Sequence, residues 1–336
     1  MVTAEPLLRV ERLTAGFEAG GRLLPAVQDV SFALSPGRTL GIVGESGCGK
    51  TITALSIVRL LRRPGRIVSG RVLFEGRDLL SLDEDGMRSV RGARIGFIFQ
   101  EPGAALSPVY TIGDQIAEAI VAHGQTGWSE ARRRAVDLLD AVRVPDAALR
   151  ACDYPHQLSG GLRQRVMIAV ALACGPALVI ADEPTTALDV TLQADILDLL
   201  RDLRDRRALA LLLITHDFGV VAQEADTVAV MYAGRIVEHG RTLDVIRAPR
   251  HPYTQGLLAC IPGRDVGTGS GTGTRMRVIE GTVPRLGRVP SGCAFEPRCP
   301  VRMERCRSEL PGSSSVNGPG DVPHAVHCHL FEACGT

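Results

Sequence analysis

The chain has 336 residues, room for two domains at roughly 150 each, or for one large domain with an appendage. Hydrophobic residues make up 45% and charged residues 22%, a globular balance that excludes wholesale disorder. The 38 basic residues are matched by 37 acidic ones, so the net charge of +1 leaves no overall basic footprint for nucleic acid. Lys50 is the only lysine among those cations, which singles out its position for chemistry.

In chain order, residues 7–13, 31–34 and 39–44 read as strands, being short apolar runs punctuated by glycine. Apolar residues at helical spacing follow Lys50, and 70–76 and 93–100 return to a strand pattern. A region from about 111 to 149, rich in alanine and in charged residues such as Arg132, Arg133, Arg134 and Asp137, reads as helical. An apolar helix from Gly160 leads into a strand over 177–182. A helix over about 191–206 leads into a strand over 208–216, and 226–240 reads as a hairpin. Strands alternating with helices, some apolar on both faces, predict an α/β fold with a mostly parallel sheet covered on both sides.

The most apolar stretch, Val166–Ala181, is shorter than the roughly 20 residues a spanning helix needs, and Gly175-Pro176 cuts it in two. A buried helix followed by a buried strand is expected there. The first residues show no charged head followed by an apolar run, so no secretory signal is expected and a cytoplasmic location is favoured. Composition shifts after about residue 263, where GTGSGTGT (267–274) and PGSSSVNGPG (311–320) read as flexible linkers or loops. The main boundary is placed between 250 and 265, and no internal repeat marks a tandem of two such domains.

Gly44 to Thr51 reads GESGCGKT, a G-x-x-x-x-G-K-[ST] loop between a predicted strand and a predicted helix. Glycines let backbone N–H groups close around phosphate oxygens, and the helix N-terminus adds favourable potential. Lys50 would reach the β- and γ-phosphates, and the Thr51 hydroxyl would ligate Mg²⁺. A guanidinium is too long and flat for such a cradle, which accounts for a lone lysine in an arginine-rich chain. The residues expected around the triphosphate are Gly44, Ser46, Gly47, Cys48, Gly49, Lys50, Thr51 and Ile52. In ALVIADEP (177–184) a strand leads to Asp182, placed to hold the Mg²⁺ shell, and to Glu183, placed to accept a proton from attacking water. ITHD (214–217) ends another apolar strand with His216 at the same sheet edge, which predicts a γ-phosphate contact.

LSGGLRQR (158–165), taken with GESGCGKT, ADEP and the histidine of ITHD, resembles the nucleotide-binding subunit of the ATP-binding-cassette (ABC) superfamily over about residues 7 to 250. That resemblance implies a phosphate-loop α/β domain over 1–255: a RecA-like core, an antiparallel β subdomain and a helical subdomain at about 101–165. It places Phe17 against adenine. It gives Gln100 to Mg²⁺ and water, so that Thr51, Gln100 and Asp182 together hold Mg²⁺. Ser159, Gly160 and Gly161 would close on the ATP of a second subunit, and Asp189 would lie in the loop crossing that interface. Leu162 stands where the family usually has glutamine, which leaves the backbone contact but puts the side-chain contact in question. Glu183, His216 and Gln100 form the implied hydrolytic set. Two cassettes would close head to tail on ATP, the second being a paralogue or an identical copy.

EPGAALSPVYTIGDQI (101–116) and YPHQLSGG (154–161) look like the peptide-import branch, whose helical insert receives the coupling helices of two membrane-spanning permease subunits. HPYTQGLLACIP (251–262), VPSGCAFEPRCPVRMERC (289–306) and HAVHCHL (324–330) resemble the C-terminal extension of oligopeptide and dipeptide permease ATP-binding subunits, a group that also serves nickel and glutathione importers. The resemblance therefore implies an ATPase on the cytoplasmic face of the membrane, working with an extracytoplasmic substrate-binding protein. A small Cys-rich domain is expected over 256–336.

Cys293, Cys299 and Cys306 stand at C-x₅-C-x₆-C, with Cys328 a further x₂₁ on. Four thiolates from two loops can hold a [4Fe–4S] cluster or tetrahedral Zn²⁺, and in a reduced compartment they can equally remain free thiols. The spacing matches no C-x₂-C zinc ribbon, and the resemblance favours the cluster. Cys334 could replace Cys328, while His324, His327 and His329 read as substitute ligands or as solvated histidines. Soluble DNA-repair and chromosome-organising cassettes carry long coiled coils or basic surfaces, and translation or regulatory cassettes usually come in pairs. Neither feature is present, and no nucleic-acid partner is expected. A redox-sensing role for the tail could be added to transport.

Overall fold

The computed structural model describes residues 5–124, 126–186, 188–261, 279–316 and 322–332. The linker at 267–274, the end of the loop at 311–320 and Cys334 lie outside the described residues.

Strands β1 (Leu8–Ala19) and β2 (Arg22–Leu34) turn at Gly20-Gly21 and are followed by β3 (Thr39–Val43) and helix α1 (Lys50–Ile57). Then come β4 (Gly65–Phe74), β5 (Arg77–Asp78), α2 (Glu84–Val90) and β6 (Ile95–Ile98). The helical insert comprises α3 (Pro102–Ala105), α4 (Ile112–His123), α5 (Trp128–Ala141) and α6 (Ala147–Arg150). The helical region expected over 111–149 is thus three helices, α4 ending at His123, α5 running from Trp128 to Ala141 and α6 starting at Ala147. Helix α7 (Gly160–Ala171) leads into β7 (Leu178–Asp182), α8 (Val190–Arg207) into β8 (Ala210–Thr215), and α9 (Phe218–Glu224) into the hairpin β9 (Thr227–Tyr232) and β10 (Arg235–Arg241). The chain ends with α10 (Thr242–Arg247), α11 (Pro252–Ala259), β11 (Ser314–Val316) and β12 (His324–Val326).

The residues form two compact units. The first contains residues 74–214 with two short stretches, 1–8 and 34–39. Its strands β6, β7 and β8 are parallel, with Leu178 paired to Ile95 on one side and to Ala210 on the other. Every residue of β7 and β8 is buried, as predicted for continuous apolar strands covered on both faces. Val166–Ala181 folds as expected into the end of a buried helix and a buried strand, and no helix among the described residues is long and apolar enough to cross a membrane. In the insert, α4 buries Ile112, Ile116 and Ile120 at helical spacing, and α5 buries Ala131, Ala135, Leu138 and Leu139.

The second unit comprises 9–33, 40–73 and the described residues from 215 onward. Its β3 pairs in parallel with β9, after which β9, β10, β12 and β11 follow as antiparallel neighbours. Contacts do not break at residue 255. The tail strand β12 pairs with β10, setting Val326 opposite Glu238, and so covers an edge that would otherwise expose unpaired N–H and C=O groups. Ala294 and Phe295 from the tail share one core with Val43 of β3, Tyr232 of β9 and Tyr253 of α11. Tyr232 packs on Tyr253 with centroids 4.6 Å apart and meets Phe295 edge-on at 5.2 Å.

Candidate functional site

In the second unit, β3 delivers the chain into Gly44–Gly49, and α1 begins at Lys50. A side chain at Gly44 would run into the carbonyl oxygen of Met231, well inside contact distance. Gly49 sits at φ 107°, in the left-handed region, and an added Cβ would lie 2.7 Å from the Ala26 carbonyl oxygen. Both positions are therefore closed to any residue but glycine. Lys50 is buried at 4% exposure, and its Nζ donates to the carbonyl oxygens of Gly44 (2.8 Å) and Glu45 (3.2 Å), folding the ammonium back over the loop. These features fit a triphosphate cradle. Cys48 is no nucleophile here, because burial pushes its thiol up to about 11 despite the lysine beside it. Phe17 lies half-buried on β1 of this unit, and His216 is exposed just past β8, immediately before the Asp217 that caps α9.

In the first unit, Asp182 ends β7 at 3% exposure. Glu183 follows at φ 48°, an uncommon conformation for a non-glycine residue, held by the bond from its N–H to the Ile214 carbonyl (2.9 Å). Its Oε2 accepts from Thr186 Oγ1 at 2.8 Å and lies 3.4 Å from Gln100 Nε2. Gln100 and Glu183, separated by 83 positions, are thus brought together. Ser159 caps α7, its hydroxyl accepting from the Leu162 N–H, and leaves Gly160 exposed with open space around it. Asp189 caps α8 by accepting from the Leu192 N–H at 3.0 Å.

Two contacts to the loop carried no readable pattern. The N–H of Glu45 donates to the Tyr253 hydroxyl (2.9 Å), and Arg298 grips the Glu45 carboxylate (3.0 Å) across 253 positions. Burial pushes the Tyr253 phenol far up, so this hydroxyl stays neutral. Long-range pairs of this kind leave no spacing to detect.

Cys293, Cys299, Cys306 and Cys328 line one small pocket, all as free thiols. Burial pushes Cys293 up to about 11 and raises Cys299 and Cys328, so protons must leave before any metal binds. Among the described residues, no group of three or more His, Cys, Asp or Glu side chains is placed to hold a metal ion. The expectation of solvated histidines is overturned. His324 is buried against Glu238 (2.7 Å), His327 bonds to the Ile236 carbonyl, and His329 uses both ring nitrogens on Glu332 and the Glu309 carbonyl. Glu238, Ile236 and Glu309 lie 86, 91 and 20 positions away, where local composition gives no hint of them; only Glu332 is close by, three residues on from His329.

The loop and the strands around it define an ATPase of the phosphate-loop class. Residues 27–186 match the ABC transporter family, and 237–306 match the oligopeptide/dipeptide transporter C-terminal region. The chain is 50% identical over 323 residues to a putative peptide import ATP-binding protein of Brucella abortus, covering 94% of this chain and 96% of the relative. It is 46% identical over 327 residues to the dipeptide transport ATP-binding protein of Bacillus subtilis, covering 97% and 95%. The dimeric cassette solved in a post-hydrolysis state with ADP and Pi superimposes with a TM-score of 0.63 at 27% identity, covering 70% of this chain and 98% of that one. The chain belongs to the ABC transporter family of ATP-binding subunits, with the C-terminal region of its oligopeptide/dipeptide branch.

Proposed function

We propose that this chain hydrolyses ATP to power a membrane importer of di- and oligopeptides, peripheral on the cytoplasmic face, with two permease subunits, a second cassette and an extracytoplasmic binding protein. The observation that carries the reading is the phosphate loop, in which Gly44 and Gly49 are sterically required and the single lysine is turned over the loop carbonyls. Peptide cargo is supported by the near full-length likeness to peptide-import relatives. Docking to permeases is supported by large apolar side chains left exposed on the helical insert and beside it, Val109, Tyr110, Leu149 and Tyr154 among them.

Lys50 and the loop amides bind the triphosphate, and Thr51, Gln100 and Asp182 are the proposed Mg²⁺ ligands, the metal neutralising charge on the phosphates. Glu183 takes the proton from attacking water, oriented by Thr186 and Gln100. Phe17 stacks on adenine, and His216 contacts the γ-phosphate. Ser159, Gly160, Gly161 and Asp189 face the nucleotide of the second cassette. The test is the copurified complex in proteoliposomes. Peptide-dependent phosphate release and peptide uptake are expected, while uptake of nickel or glutathione instead of peptide would reassign the cargo.

The tail is proposed to carry a [4Fe–4S] cluster on Cys293, Cys299, Cys306 and Cys328. Support comes from the shared pocket and from four reduced thiols, which repel one another once ionised and so favour a cation between them. Anaerobic purification should give about four irons and four acid-labile sulfides per chain. Zinc, or metal-free protein, would replace this assignment.

A further inference from the structure

Glu45 is the only acidic residue in the loop GESGCGKT, and a bare carboxylate is unfavourable in a loop that must wrap a polyanion. The structure meets this with one side chain from the tail. Arg298 Nη1 lies 3.0 and 3.1 Å from the two Glu45 oxygens, and the arginine side chain is only 6% exposed. The rest of the guanidinium is held by the tail and the core. Nε donates to the Glu280 carbonyl (2.8 Å), Nη2 to the Ile279 carbonyl (3.2 Å), and the rings of Tyr232 and Phe295 lie 5.8 and 5.9 Å from its central carbon. A guanidinium fixed on its other sides presents its charge to the loop in one geometry, which a flexible ammonium would not do. The Glu45 backbone is pinned as well, by Tyr253 at its N–H and by Lys50 at its carbonyl.

We infer that Arg298 is a positioning residue for nucleotide binding. It neutralises Glu45, keeps that carboxylate off the phosphates, and makes the phosphate loop dependent on the C-terminal extension. This rests on the reading of Gly44–Thr51 as the ATP site. The same arginine immediately precedes Cys299, so a change in the cysteine pocket has a two-residue route to the loop.

The test uses the full chain, titrated with a fluorescent Mg·ATP analogue and then assayed for KM and kcat in the assembled complex. Arg298→Ala is expected to weaken nucleotide binding and raise KM about ten-fold, with kcat changed less than about two-fold. Adding Glu45→Gln to that variant is expected to restore affinity to within about three-fold of wild type, because the unpaired charge is gone. A merely structural arginine would not be rescued by removing its partner's charge. Wild-type affinity in a folded Arg298→Ala protein, or a loss that Glu45→Gln leaves in place, overturns the inference. If Arg298→Ala does not fold, Arg298→Gln, which keeps an amide donor for the tail carbonyls, carries the same comparison. Failure of the wild-type chain itself to bind Mg·ATP would instead overturn the ATPase reading.

Discussion

The roles proposed for Glu183 and Lys50 differ, and their substitutions separate binding from chemistry. Glu183→Gln keeps the shape and an acceptor oxygen for Thr186 and Gln100 but removes the proposed proton acceptor. Turnover should fall by about 10²–10⁴ with Mg·ATP affinity retained, as read by phosphate release beside nucleotide titration. Lys50→Ala removes the loop's only ammonium and should weaken Mg·ATP binding itself by at least about ten-fold in the same titration. The residue types at these positions were legible because loop and strand motifs are local in sequence. The left-handed backbone at Glu183 was not, since it is imposed by a bond to Ile214 on the neighbouring strand. The histidines 324, 327 and 329 misled for the same reason: His324 and His329 are buried and His327 half-buried, each bonded to a partner distant in sequence that the composition around it does not reveal.

Among the elements, the phosphate loop tolerates little change at Gly44 and Gly49. Gly49→Ala forces an L side chain into φ 107° against the Ala26 carbonyl, so stability should drop by about 1–3 kcal/mol. Nucleotide should also lose part of its stabilising effect, and melting with and without Mg·ATP measures both. Strands β7 and β8 and helix α8 were readable within two residues, because buried strands are continuous apolar runs and a helix between them shows its period. Strands β1 and β2 proved much longer than the apolar runs at 7–13 and 31–34. Their exposed faces carry charged residues, which a search for apolar runs passes over. Strand β12, three residues long, owes its existence to the edge of β10.

Across the molecule, the second unit buries titratable groups that make its stability depend on pH. His251 is 1% exposed, and burial lowers its pKa to about 4, with Glu238 working against the shift and His327 adding to it. Between the ordinary value near 6.5 and about 4, the unfolded chain binds a proton on this ring that the folded chain refuses. Stability therefore rises with pH through that window and is lost on acidification, by on the order of 2–3 kcal/mol at its lower end. Melting at pH 5 should fall below that at pH 7.5. His251→Asn, which keeps an acceptor for the Tyr253 N–H that His251 Nδ1 now caps, should flatten the slope.

The order of apolar runs along the chain determined the class of fold, and the glycine spacing and lone lysine, which lie together in Gly44–Thr51, marked the place where phosphate is proposed to bind. What the tail does could only be decided in three dimensions. Ala294 and Phe295 share a core with Val43, just before the phosphate loop, and beside that core Arg298 pairs with Glu45; residues 253 positions apart become neighbours only when burial of apolar surface brings their segments together.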